Sequence, residues 1–311
     1  MFPVNWLSNP KWQPFVWSGI LVLVLLSFFT PLILITIHLI MVPALVLFMK
    51  LDLRRFVLLY SASLFLFFAF TFGYGFVWIL GSLFYLAPVI VMGVLYKRKA
   101  SAQAALTAGT LTLIAELLLF LFMIYMAGYR PIEKLKQVFL ANLLTVPEQF
   151  RVNLPPESID LVMQMIPIFL VTFSIYYVFV THGVTRRLLR NSDTPLPGLP
   201  PLREWMMPKT MVWYFLGVLI LSLFVTLKSD PYFMMIVLNL LPLFSLAFAI
   251  QFVGFLFYIA HQKKWKRSGV IVLVILLVVI TMILSPILYL LSLIGLLDVM
   301  FNLRKRWSDE S

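Results

Sequence analysis

Glu116 is the carboxylate of this chain best placed for chemistry, because it lies near the middle of an apolar run. A charge in such a place is expensive, so Glu116 is expected to face other helices or a wet cavity, or to carry a proton. Ser101, Ala105, Gly109, Thr112 and Glu116 follow four-, four-, three- and four-residue steps, which puts them on one helix face. The small residues Ser101, Ala105 and Gly109 let a neighbouring helix approach closely there. Two readings of Glu116 stand together: a neutral packing residue hydrogen-bonded to Thr112 one turn earlier, or a group that meets a ligand, a proton or an ion. No second charge inside an apolar run offers itself as a partner, which weighs against a proton relay.

His38, Asn239 and Gln251 are the other polar residues well inside apolar runs. A lone histidine there fits interhelical hydrogen bonding better than metal binding, and His38, His182 and His261 lack ligand spacing. Asn239 and Gln251 sit twelve residues apart, so on one helix they point about 120° from each other and do not form a compact site. The sequence contains no HExxH, no GxSxG, no phosphate-cradling glycine loop and no closely spaced carboxylate pair in an apolar run. These observations point to no enzymatic activity, no cofactor and no metal. They leave Glu116, His38, Thr112 and Asn239 as ligand or cavity candidates.

The elements that carry these residues are membrane spans. In 311 residues, 62% of side chains are hydrophobic and 12% charged, and the mean hydropathy is +1.02. A soluble chain would carry about a quarter charged residues and would seldom hold apolar runs of ~20 residues. The net charge of +12 does not indicate nucleic acid, because the basic residues form short clusters between apolar runs, where orientation signals belong. Anionic headgroups at these basic loops are the expected partner. The chain has no cysteine, which excludes disulfides and thiolate sites. Its beginning reads as an interfacial anchor, with Trp6, Trp12 and Trp17 at headgroup level, and not as a cleaved signal.

The first apolar run, Val16 to Met49, is too long for one straight span and should break at Thr30-Pro31 into two short helices, with a single kinked helix as the alternative. Runs from Phe56 to Phe72 and Phe76 to Tyr96 flank Gly73-Tyr74-Gly75 and form a hairpin. A helix from about Ala104 to Ala127 leads into the polar segment 128–160, within which 131–146 has the spacing of a surface-lying amphipathic helix. Further spans follow at Leu161 to Thr181, Met211 to Leu227 and Tyr232 to Ala260. The final run, Gly269 to Asp298, is interrupted by Pro286. Prolines within apolar runs, at Pro31, Pro43, Pro88, Pro167, Pro242 and Pro286, are expected to kink packed helices.

Alternate loops at 50–55, 97–99, 182–210 and 263–267 hold fifteen Lys and Arg, against five on the opposite side, 128–160 with 228–231. The positive-inside rule makes the first set cytoplasmic and the amphipathic segment external. Arg304, Lys305 and Arg306 break the pattern unless the chain turns back at Pro286, which would leave Leu288 to Phe301 partly interfacial. The connector 182–210 is rich in proline, hence a semi-rigid spacer. Its Arg186, Arg187, Arg190 and Trp205 are candidates for docking a partner protein.

QMIPIFLVTFSIYYVF, TRRLLR and PLPGLPPLREWMMPK, with GLLDVMFNLRKR at the tail, resemble the YybS family of bacterial polytopic membrane proteins. The likeness runs from about Leu21 to Trp307, and Asp298 and Arg304 match the aspartate and arginine of that family's closing pattern. The earlier half, with MVPALVLFMKLDLRRFVLLYSASL and YLAPVIVMGVLYKRKASAQAALTAGTL, is more distantly similar to the substrate-capturing S components of energy-coupling-factor transporters and to MreD-type envelope proteins. It departs from an S component in having more spans and no vitamin-site signature.

The resulting expectation is an all-α polytopic transmembrane bundle of about nine spans, between roughly eight and ten, in a bacterial plasma membrane. Its halves are 1–181 and 211–311, joined by the connector 182–210. The expected function is non-enzymatic solute binding related to transport, with a small-molecule ligand and a coupling or scaffold protein as expected partners. The alternative is a scaffold that recruits envelope or signalling proteins.

Overall fold

The structure, a computed structural model, describes residues 12–145, 156–226, 230–284 and 286–305. Trp6, Leu227, Arg306 and Trp307, with positions 146, 228 and 229 of the ranges given above, lie outside the described residues. All regular structure among the described residues is helical. Six helices are long and apolar enough to cross a membrane: 33–50, 53–70, 76–97, 102–126, 166–188 and 231–262. Four shorter apolar helices accompany them, at 13–29, 209–224, 267–283 and 286–301. The protein is an all-α polytopic membrane protein. The chain forms two compact units, one of Met1–Lys134 with Leu170–Leu199, the other of Leu135–Phe169 with Pro200–Ser311. The connector is therefore divided between them after Leu199.

The first unit contains α1 (Gln13–Leu26), α2 (Ile33–Thr36), α3 (Met41–Lys50), α4 (Leu53–Phe70), α5 (Phe76–Phe84), α6 (Leu86–Lys97), α7 (Ala102–Met126) and most of α10 (Ile166–Leu188). The first apolar run is broken where expected. Thr30, ahead of Pro31, is extended at φ −127° and ψ 166°, the conformation a following proline imposes. The halves fold back on each other, since the Ser27 hydroxyl donates to Thr36 Oγ1 at 2.6 Å and Lys50 Nζ bonds Gln13 Oε1. Every residue of α3 from Met41 to Met49 is buried, as befits a helix apolar on all sides. It packs against α1, α4 and α6.

α4 and α5 make the expected hairpin. Phe72 and Gly73 take positive φ in the turn, and the Tyr60 hydroxyl bonds Ser82 Oγ at 2.6 Å to tie the two helices. On α7 the packing face is Ala102, Ala105, Gly109 and Leu113, all buried. Ser101 is exposed, a departure from the expected packing role, because its side chain caps the helix by accepting from Ala104 N.

The second unit contains α9 (Pro156–Gln164), α11 (Lys209–Phe224), α12 (Pro231–Gln262), α13 (Arg267–Ile283) and α14 (Pro286–Phe301). α8 (Pro131–Thr145) is the expected amphipathic helix, and its Ile132, Leu135 and Val138 are exposed. The last apolar run breaks between α13 and α14. α14 packs lengthwise on α12, burying Ser292, Gly295, Leu296, Asp298 and Val299. The two helices run parallel: Gly295 meets Phe248, Asp298 meets Gln251, and Arg304 meets Tyr258. Arg304 and Lys305 thus end on the same side of this unit as the basic segment Lys263–Arg267, which removes the anomaly in the charge pattern.

Five of the six prolines within apolar runs sit at or before helix starts, and two of these, Pro43 and Pro88, lie beside the interruptions of the spans 33–50 and 76–97. Pro31 precedes α2, while Pro43, Pro88, Pro167 and Pro286 lie within the first three positions of α3, α6, α10 and α14. Their missing N–H is not needed there. Pro242 alone among them is interior to a helix, α12.

Candidate functional site

The most elaborate polar cluster lies in the second unit and centres on Asp298, which is fully buried. Its Oδ2 accepts from Gln251 Nε2 at 2.6 Å and from Arg304 Nε at 3.0 Å. Arg304 Nη2 approaches the same oxygen to 2.9 Å, an ionic contact without hydrogen-bond geometry. Arg304 Nη1 donates to the Arg203 carbonyl at 2.6 Å. The Tyr258 hydroxyl donates to the Arg304 carbonyl at 2.8 Å, and Gln251 Oε1 accepts from Met207 N at 3.2 Å.

Local backbone makes this convergence possible. Asn302, with φ at 50°, takes the left-handed conformation just beyond α14, which turns Arg304 back toward Asp298. At Gly254 a Cβ would stand 2.7 Å from the Leu202 carbonyl oxygen, and at Gly295 one would stand 1.9 Å from that of Phe248. Only glycine admits backbone so close at these two positions. The cluster therefore clamps three elements: α12, the end of α14, and the short turn Leu202–Glu204 of the connector. Its chemistry is that of a compensated ion pair, suited to holding structure. Asp298 Oδ1 is buried without a hydrogen-bond partner among the described residues.

Asn239, on α12, serves a second structural junction. Its Oδ1 accepts from Ile168 N at 2.8 Å, while Nδ2 donates to the carbonyls of Gln164 at 2.8 Å and Met235 at 2.7 Å. It thereby fills the gap between α9 and the start of α10, next to Pro167. Gln251 and Asn239 serve separate places, as their spacing requires.

The polar residues of the first unit are not so provided for. Glu116 is half-buried, and its Oε2 is buried with no hydrogen-bond partner among the described residues. The bond expected from Thr112 is not made, because Thr112 Oγ1 donates to the Ala108 carbonyl at 2.8 Å. His38, in the turn Ile37–Leu39, stands edge-on to Tyr176 with ring centres 5.6 Å apart, and 6.3 Å from Tyr177. Its Nδ1 is likewise buried and unpartnered among the described residues. Tyr177 stacks on Tyr85 at 5.4 Å, and Phe84 meets Phe120, one turn past Glu116, at 6.1 Å.

Gly109 does admit a close neighbour, since a Cβ there would stand 2.6 Å from Met92 Cγ on α6. Arg186, Arg187 and Arg190 are exposed at the end of α10 and just beyond it. The Arg186 guanidinium lies against Gly198, where a Cβ would be 2.8 Å from Nη2. Trp205 is half-buried, with its indole N–H donated to the Pro200 carbonyl at 2.8 Å. Two surface grooves, one lined by Trp213, Tyr214 and Phe244 among others, one by Phe15, Lys50 and Arg55 among others, include neither Glu116 nor His38.

The family described as "Predicted membrane protein (DUF2232)" matches residues 20–299. The chain belongs to that family. Its DUF2232 segment takes in Glu116, His38, Asn239, Gln251 and Asp298, and ends five residues before Arg304. The chain is also 24% identical over 228 residues to the "Uncharacterized protein YybS" of Bacillus subtilis (strain 168), covering 70% of this chain and 72% of that one. No solved structure matches it. None of these findings carries the likeness to S components or MreD-type proteins.

Sequence reasoning marked Asp298 and Arg304 only through the resemblance of the tail. Asp298 closes an apolar run beside a basic tail, so it reads as a helix end exposed to water. The signal for its burial was the arginine six residues on, which reaches it only because the helix ends in between.

Proposed function

We propose that this membrane protein binds a small solute without transforming it, in a role related to transport, and that Glu116 and His38 of the first unit contact that solute. The observation that carries the proposal is that Glu116 Oε2 and His38 Nδ1 are the titratable groups among the first unit's buried side-chain polar atoms without a hydrogen-bond partner among the described residues, beside the hydroxyls of Ser18, Thr181 and Thr185. A buried polar atom left without a partner costs about 1–3 kcal/mol, and more when charged. Such a cost is what a site completed by water, a proton or a ligand would carry. The aromatic rings of Tyr176 and Tyr177 beside His38, with Tyr85 stacked on Tyr177, supply the mixed apolar and polar wall usual for small-molecule sites. The membrane is proposed to be the bacterial plasma membrane, with the basic loops on its cytoplasmic side.

Native mass spectrometry of protein extracted in mild detergent identifies solutes that copurify. A solute found this way is expected to raise the unfolding temperature of the wild type and to leave Glu116→Gln unmoved. Equal stabilisation of both would remove Glu116 from the site.

A second reading rests on Arg186, Arg187 and Arg190, which are exposed together and form no ion pair among the described residues. As a scaffold, the protein would engage an acidic partner there. Reversing these three charges should then abolish recovery of the partner in a pull-down, with Glu116→Gln having no effect.

A further inference from the structure

The first unit carries a groove of about 610 Å³ lined by Pro14, Phe15, Lys50, Leu51, Arg55, Leu58 and Leu59. We propose that this groove is a binding site for one anionic phospholipid, its phosphate held between Lys50 and Arg55 and its acyl chains lying along Leu58 and Phe15.

The two cations come from different elements, Lys50 from the end of α3 and Arg55 from the first turn of α4. Both stand where apolar helices give way to a polar segment, the level of lipid headgroups. Below them the wall is apolar. Phe15 and Leu58 are exposed at 57% and 69%, which in a membrane protein means contact with acyl chains. Such an arrangement matches a molecule with a negative head and two hydrocarbon tails, and no water-soluble anion would use the apolar part.

The local charge favours an anion after all neighbours are counted. Arg54 is exposed beside Arg55, and Lys97 Nζ donates to the Leu51 carbonyl at 2.5 Å while lying 4.3 Å from the centre of the Phe48 ring. Lys97 thus brings a fourth cation to the segment without occupying the groove. Two carboxylates oppose this. Asp52 contacts Arg55 at 3.4 Å, and Asp193 lies within electrostatic reach of Lys50. The Asp52–Arg55 pair is exposed on both sides, so it contributes little and gives way readily to a phosphate. Bidentate binding of phosphate by arginine is stronger than such a surface pair. Lys50 is held by Gln13 Oε1, a neutral acceptor that orients the amine without cancelling its charge.

The proposal stands apart from the solute site, since neither Glu116 nor His38 lines the groove. It is tested on the full chain, delipidated in detergent and titrated in native mass spectrometry with phosphatidylglycerol, phosphatidylcholine or glycerol 3-phosphate. The wild type should bind one phosphatidylglycerol in preference to phosphatidylcholine and should not bind glycerol 3-phosphate at matched concentration. Lys50→Gln and Arg55→Gln should each weaken phosphatidylglycerol about fivefold, the effect of one basic residue near an anionic surface. Arg187→Gln should not, and Lys50→Arg should retain binding, which separates loss of charge from misfolding. Leu58→Asn should weaken the lipid without creating a preference for free phosphate. Equal binding of the two lipids, or a phosphatidylglycerol affinity unmoved in both charge variants, would overturn the proposal. So would binding of glycerol 3-phosphate as strong as that of the lipid.

Discussion

Glu116 and Asp298 are both carboxylates on apolar helices, and the protein treats them oppositely. Asp298 is fully buried, and a guanidinium and a glutamine amide both meet its Oδ2, while its Oδ1 has no hydrogen-bond partner among the described residues. Glu116 is only half-buried, and among the described residues it has neither an ion pair nor a hydrogen-bond partner for its buried Oε2. Burying a charge is tolerable when its partners are buried with it. Where partners are built in, the carboxylate holds elements together; where they are missing, the position is open to something the chain does not supply. The contrast separates residues that make this fold from residues proposed to use it.

The largest effect expected from breaking the contrast is at Arg304. Arg304→Ala strands Asp298 and should lower stability by about 3–5 kcal/mol in a detergent unfolding experiment. Replacing both partners together, as Asp298→Asn with Arg304→Met, should cost less than Arg304→Ala alone, since no uncompensated charge is left. Next comes Gly295→Ala, which must push α14 from α12 because the new Cβ would meet the Phe248 carbonyl. A loss of about 1–3 kcal/mol is expected there. Gly217→Ala on α11, where nothing lies within 4 Å, should be neutral or stabilising and serves as its control. The smallest effect belongs to Glu116→Gln, which should stay within about 0.5 kcal/mol of the wild type or exceed it.

Much of the framework was legible in the sequence, for identifiable reasons. Run lengths, the Thr30-Pro31 break and the Gly73 turn depend on local backbone chemistry, and each appears where local rules put it. The amphipathic spacing of 131–145 and the small-residue face of Ala105 and Gly109 are likewise periodic signals that survive without tertiary knowledge. The role of the prolines was less legible. A proline within an apolar run reads as a kink, and Pro43 and Pro88 do lie beside interruptions of the spans 33–50 and 76–97, but Pro167 and Pro286 open helices, because the composition of a run does not reveal where its helices start. The clamp at Asp298 was hidden for a different reason. Its members Arg203, Gln251, Tyr258, Asp298 and Arg304 are spread over about a hundred residues, and only the parallel packing of α12 and α14 brings them together. The bond between Thr112 and Glu116, plausible from spacing, lost to the nearer carbonyl of Ala108.

The comparison is tested most directly by measuring the unfolding midpoints of Asp298→Asn and Glu116→Gln side by side in one detergent and buffer, without added solute. Asp298→Asn should unfold well below the wild type, and Glu116→Gln at the wild-type midpoint or above it. A loss at Glu116→Gln as large as that at Asp298→Asn would contradict the distinction between them, making Glu116 part of the architecture rather than part of a site.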